Sequence, residues 1–141
     1  MRLDLYQAET ERIAAEQAAV LDEARRILAS GRPMTRLEDN GLLHALQVLI
    51  ENAIGKAKQW LKAQGRVVPV SAYDAFAALA DAGFIDAEDL PRWNALVGVR
   101  NRIVHDYMNI DRDRIHELVR QEADRFVLAF LLRRGGLVST G

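Results

Sequence analysis

The sequence contains no cysteine. That excludes a disulfide framework, thiolate metal ligands and thiol nucleophiles, and it fits a reducing, cytoplasmic setting. Serine is scarce as well. Ser30, Ser71 and Ser139 fall at a helix end, a helix cap and the last few residues, which argues against a serine hydrolase. No uninterrupted apolar run reaches about 18 residues, so no membrane span is expected. The opening MRLDLYQAETER lacks the apolar core of a signal peptide. There is no GxxxxGK(S/T) or GxGxxG loop to cradle a phosphate. HExxH is missing, and His44, His105 and His116 are too scattered to imply a zinc site. Neither a metal nor an organic cofactor is expected.

What is present is a globular composition. Half of the 141 residues are hydrophobic and 28% are charged, enough for one domain with a real core. Residues 1–134 read as that domain and 135–141 as a flexible tail. The net charge of −1 argues against indiscriminate nucleic-acid binding. Charge is nevertheless uneven, because residues 92–134 carry nine arginines, no lysine and six acids. This suits either a focused anionic ligand or an ordinary solvated helix surface, and charge alone does not choose.

Helical periodicity dominates. Tyr6, Ile13, Val20 and Ile27 recur every seven positions, with Leu21, Ala24 and Leu28 widening the stripe, until Ser30-Gly31-Arg32-Pro33 ends the helix. Thr35 and Glu38 have capping-box spacing for a second long helix. Its apolar face holds Leu42, Leu46, Leu49, Ile50, Ala53, Ala57, Trp60 and Leu61. Leu43, Val48 and Ile54 lie off that face, so this helix is either deeply buried or has a second partner, a dimer contact being one option. Lys56, Lys58 and Lys62 read as its solvated side. Gly65 stops it, and Arg66–Val70 is an extended connector. Ser71 caps a short helix closed by Gly83, and Asp86 starts one more turn. Pro91 suits the first turn of the next helix, which carries Trp93, Leu96, Val99 and Ile103. Asp111 caps a single last helix with Ile115, Leu118, Val119, Phe126 and Phe130 inward. Tyr73 and Trp93 read as core aromatics, and His44 and His116 as helix-surface or core residues. The expected fold is all-α: an up-and-down helical bundle, dimeric, with two long N-terminal helices, short helices and a C-terminal helix.

One stretch stands apart. RNRIVHDY, Arg100–Tyr107, follows the apolar LVGV. It is either a solvated helix end or a site for cleaving a phosphodiester. On a helix, Asn101 and His105 share a face, whereas Arg100 and His105 diverge by roughly 140°. Convergence then needs a bend or a second chain. Metal-free cleavage requires a base for the attacking hydroxyl, an acid for the leaving oxygen, and a cation for the phosphorus centre. Histidine titrates nearest neutral pH, and arginine grips phosphate with two parallel bonds. Asn101 suits orienting the imidazole or an RNA hydroxyl. One motif offers a single histidine, so two motifs across a two-fold dimer would supply both acid and base.

The same residues resemble the R-x4-H-x-Y signature of the HepT-like branch of the HEPN superfamily. LQVLIENAIGKAKQWL is similar to that family's second helix, VPVSAYDAFAALADAGFI to its connector and short helix, and NALVGVRNRIVHDYMNID to its motif region. Order and spacing agree from about Leu42 to Phe130. The resemblance implies a metal-independent ribonuclease toxin of a HEPN/MNT toxin–antitoxin module, acting as a homodimer on RNA. Arg100 and His105 match its catalytic arginine and histidine, and Asn101 the polar position beside them. Tyr107 matches the tyrosine to which the minimal nucleotidyltransferase antitoxin attaches AMP. Arg102 is a candidate RNA-phosphate contact outside the defining positions. The competing reading is a non-catalytic nucleotide- or substrate-binding subunit of a nucleotidyltransferase complex. A purely structural bundle would leave Arg100 and His105 free to vary.

Overall fold

The computed structural model describes residues 3–134. The expected flexible tail, 135–141, lies outside the described residues. Among those described there are six α-helices, two 3-10 turns and no strand: α1 (Leu3–Ser30), α2 (Arg36–Ala63), α3 (Ala72–Asp81), α4 (Leu90–His105), α5 (Arg112–Arg120) and α6 (Ala123–Leu132), with the turns at Ala87–Asp89 and Tyr107–Asn109. None of these helices is long and apolar enough to cross a membrane.

The start and stop signals act as the sequence predicts. Gly31, Gly65 and Gly83 take positive φ just past α1, α2 and α3, a backbone that a residue without Cβ adopts at least cost. Thr35 and Glu38 close a complete capping box, and the Ser71 and Asp111 side chains accept from the backbone N–H of Asp74 and Arg114. Pro91 sits in the first turn of α4.

α2 is the central element, packed by α1, α3, α4 and α6. Leu43 and Ile54 are therefore buried within the chain itself, and Val48 is half-buried. α1 runs antiparallel to it: Asn52 Nδ2 donates to the Thr10 carbonyl at 3.0 Å. Further along this contact, a Cβ on Gly55 would stand 3.1 Å from the Tyr6 hydroxyl. α4 returns antiparallel to α2, and α6 lies parallel to it, so the bundle runs up and down.

Four expectations need correcting. The seam of α1 is Thr10, Ala14, Leu21 and Ala24, all buried, while Val20 is 39% exposed. A strict seven-residue stripe drifts around a straight helix, and the small residues let α2 and α6 approach. Lys56 is not on a solvated face. It is fully buried, donating to the carbonyls of Phe130, Leu131 and Arg133 at 2.8, 3.0 and 2.6 Å. It thus replaces water at the C-terminus of α6, whose last carbonyls have no partner within the helix. Tyr73 is exposed rather than core. Finally, the C-terminal helix is two. Glu122 has φ 63°, and the Val119 carbonyl accepts from Glu122 N–H and Arg25 Nε, both at 3.0 Å. Arg25 also pairs with the buried Asp124. An arginine from α1 thus adds a second bond to the carbonyl at the break, with no Gly or Pro to mark the position.

Candidate active site

α4 carries the RNRIVH residues, and its inner face fixes them. Trp93, Leu96, Val97, Val99 and Ile103 are buried. The Trp93 ring stacks on Phe76 at 4.3 Å and meets Phe130 edge-on at 5.1 Å. Such aromatic burial ties α4 to α3 and α6 more firmly than its polar outer face could.

The outer face presents Arg100 and Asn101 half-buried and Arg102 and His105 exposed. α4 runs to His105, so Asn101 and His105 stand one turn apart on one face. Arg100 reaches that face without a bend, because its Nη1 donates to Asn101 Oδ1 at 2.7 Å. On its other side Arg100 Nε is buried without a hydrogen bond, 3.6 Å from Glu51 Oε2 of α2. Its remaining donors form the planar fork that suits a phosphate. Among the described residues, the side chains of His105 and Arg102 have no hydrogen bond or ion pair, and no hydrogen bond joins Arg100 to His105 within one chain.

Past α4 the chain turns at Asp106 (φ −143°, ψ 41°) into the 3-10 turn at Tyr107. Tyr107, 37% exposed, folds back on the start of α2, and its hydroxyl donates to Asn40 Oδ1 at 2.5 Å. The Arg112 guanidinium lies 5.5 Å from the Tyr107 ring centre and donates to Asp39 Oδ2 at 2.8 Å and, more weakly, to Asn40 Oδ1 at 3.4 Å. His116 Nε2 completes the set, 2.8 Å from Asp39 Oδ1. Burial opposes ionisation of Asp39, yet the hydrogen bonds from His116 and Arg112 outweigh it and hold the carboxyl below its usual range. The Asp39 bond in turn raises Arg112.

Asn40, Asp39, Arg112, His116 and Glu51 are the residues that sequence reasoning missed around the motif. Arg112 and His116, four apart on α5, carried the one usable signal: a same-face pair able to share an acid. Nothing local marked Asn40 or Glu51. Among the described residues no cluster of His, Asp and Glu could hold a metal ion. A cavity of about 480 Å³, lined by Tyr6, Glu11, Trp60, Phe84 and Arg134 among others, lies at the far end of α2.

Comparison with known proteins gives this geometry a family. The model for "Ribonuclease HepT-like" proteins matches residues 16–129. The chain belongs to the HepT-like ribonuclease family. No curated protein matches it. Among solved structures, it is similar to a chain of a toxin–antitoxin complex with AMP-PNP (20% identity, TM-score 0.64, covering 84% of this chain and 97% of that one). It is also similar to a chain in the structure of the tri-AMPylated Shewanella oneidensis HEPN toxin in complex with MNT antitoxin (21% identity, TM-score 0.65, 84% and 96% covered). A chain of a mutant MntA–HpeT toxin–antitoxin structure agrees equally well (21% identity, TM-score 0.65, 85% and 97% covered). At such identities the likeness is one of fold.

Proposed function

We propose that this chain is the metal-independent endoribonuclease toxin of a HEPN/MNT toxin–antitoxin module, neutralised when a nucleotidyltransferase antitoxin attaches AMP to Tyr107. The observation that carries this reading is the Arg100–Asn101 bond. It brings the guanidinium to the face that also bears an unengaged His105, on a helix pinned by Trp93. Membership of a ribonuclease family supports the chemistry. The similar structures, one with AMP-PNP and one tri-AMPylated, support the partner and the modification.

In this reading Arg100 binds the scissile phosphate and offsets charge building on its oxygens. His105 transfers protons at the reacting hydroxyls, and Asn101, with its carbonyl held by Arg100, offers its amide N–H groups to the substrate. Arg102 adds a phosphate contact, and a homodimer brings two motifs to one cleft. AMP on Tyr107 puts a negative phosphate two residues from His105, where it competes with RNA for Arg100.

The competing reading, a nucleotide- or substrate-binding subunit without catalysis, draws on the lack of any Arg100–His105 hydrogen bond in one chain. Incubating purified protein with RNA separates them. Cleavage that is lost in Arg100→Ala and His105→Ala, both still folded, supports the toxin. Intact RNA with the wild-type protein removes it.

A further inference from the structure

The Tyr107 hydroxyl shares its acceptor with a cation. It donates to Asn40 Oδ1 at 2.5 Å, and the same oxygen accepts from Arg112 Nη2 at 3.4 Å. Only one acceptor atom therefore separates the guanidinium from the tyrosine oxygen, and the guanidinium lies 5.5 Å from the ring centre. Arg112 is fixed from behind. Its Nη1 donates to Asp39 Oδ2 at 2.8 Å, and the other Asp39 oxygen lies 2.8 Å from His116 Nε2. Both carboxylate oxygens are thus occupied, whereas the bond from Nη2 to the neutral amide is long and weak. The guanidinium keeps further N–H donors, and its side chain is 32% exposed.

We infer that Arg112 and Asn40 form a binding site for a phosphate carried on Tyr107, the ligand in the modified protein being the phosphodiester of the AMP adduct. This rests on the reading above in which AMP is attached there. Attachment forms a bond from the Tyr107 oxygen to the α-phosphorus of a nucleoside triphosphate as pyrophosphate leaves, and the phenolic proton passes to solvent. One free oxygen of the new phosphodiester replaces Asn40 on Arg112 Nη2. A long bond to a neutral acceptor gives way to a charge-assisted one. Asn40, turning its amide, offers the same phosphate an N–H in place of its carbonyl. The second free oxygen is left for the competition over Arg100. The adduct is then held by α2 and α5 beside the motif instead of extending into solvent.

O-phosphotyrosine, incorporated at position 107 of the full chain by an expanded genetic code, puts a phosphate on the same oxygen without any transferase. The Arg112 Nε–H NMR signal is compared with and without it. Removal of the phosphate by an added tyrosine phosphatase is then timed in the otherwise wild-type chain, in Arg112→Lys and in Arg112→Gln. The Arg112 signal is expected to move, while that of Arg12, paired with Glu9 and Glu16 on α1, stays. Removal from Arg112→Gln should be about tenfold faster than from wild type, the ratio for one lost charge-assisted bond, with Arg112→Lys between them. An unmoved Arg112 signal, or equal rates, overturns the site and leaves the AMP reading untouched. That reading is tested apart, by the mass of Tyr107 peptides after co-expression with a minimal nucleotidyltransferase. No AMP-sized addition there overturns the adduct as the ligand, whereas a moved Arg112 signal would keep the phosphate site.

Discussion

The Tyr107 hydroxyl donates its proton to Asn40 Oδ1 at 2.5 Å, tying the turn after the motif to the first turn of α2. Joining that oxygen to a phosphate removes the proton. Two acceptor oxygens would then face each other, so either Asn40 turns its amide or Tyr107 leaves. AMP addition is thus expected to shift the Asn40 side-chain amide signals in 15N NMR. Those of Asn52, bonded to Thr10 of α1 about three turns further along α2, should stay in place. Tyr107→Phe is expected to carry no adduct and to cost about 1 kcal/mol of stability in urea unfolding. Unmoved Asn40 signals beside a stoichiometric mass increase would contradict this coupling.

Asp39 is the hub behind that contact, because it holds Arg112 and His116 at once. Asp39→Asn should destabilise the protein by about 1–2 kcal/mol at neutral pH, through the loss of charge-assisted bonds on a largely buried carboxylate. The sign with pH follows from its lowered value. The contribution is complete above the ordinary 3.8 and disappears as pH falls through the lower folded value. Wild type and Asp39→Asn should therefore converge in stability in strong acid, read by urea unfolding between pH 7 and pH 2. A constant gap across that range would show that ionised Asp39 contributes nothing.

Much of the fold was legible because it is local. Caps at Thr35, Ser71 and Asp111, positive-φ glycines at 31, 65 and 83, and Pro91 in the first turn of α4 all follow from residue chemistry within four positions. The burial of Lys56 and the break at Glu122 were not legible, since each depends on a group distant in sequence, the α6 carbonyls in one case and Arg25 in the other. The site divided the same way. Arg100, Asn101 and His105 are readable from one stretch. The direction in which Arg100 points depends on its own rotamer and on Glu51, and the seating of Tyr107 depends on Asn40, 67 positions away. Helical spacing alone had set Arg100 roughly 140° from His105; its bond to Asn101 turns the guanidinium toward that side, and no hydrogen bond joins it to His105 within one chain.

Glu51 holds negative charge beside the guanidinium assigned to phosphate. Both side chains are partly exposed, at 40% for Glu51 and 23% for Arg100, so the pair is screened and weak. Glu51→Gln should tighten binding of an uncleavable 2′-O-methyl RNA by about two- to fivefold, measured by fluorescence anisotropy. Arg100→Ala should weaken binding and lower its salt dependence by about one phosphate contact, Arg102 keeping its own. Weaker binding by Glu51→Gln would instead identify Glu51 as a group that aims Arg100.

Lys56 sets a different pH signature, remote from the motif. Burial, helped by the positive charge of Arg133 and opposed by Glu11, lowers its pKa from 10.5 to about 8. Between these values the unfolded chain holds a proton that the folded protein has shed. Stability should therefore rise as pH climbs from about 8 toward 10.5. Below that window both states are protonated and Lys56 contributes no slope. Lys56→Met fills similar space but removes the amine shared by three carbonyls at the end of α6, of which those of Leu131 and Phe130 keep Gln7 Nε2 and the Arg133 N–H as donors. It should cost about 2 kcal/mol at pH 7. Because the variant lacks the titrating amine, its deficit relative to wild type should widen through the alkaline window, as read by paired urea titrations. A deficit that stays flat from pH 7 to pH 10 would mean that the three carbonyls keep the amine charged, their attraction offsetting the cost of burial.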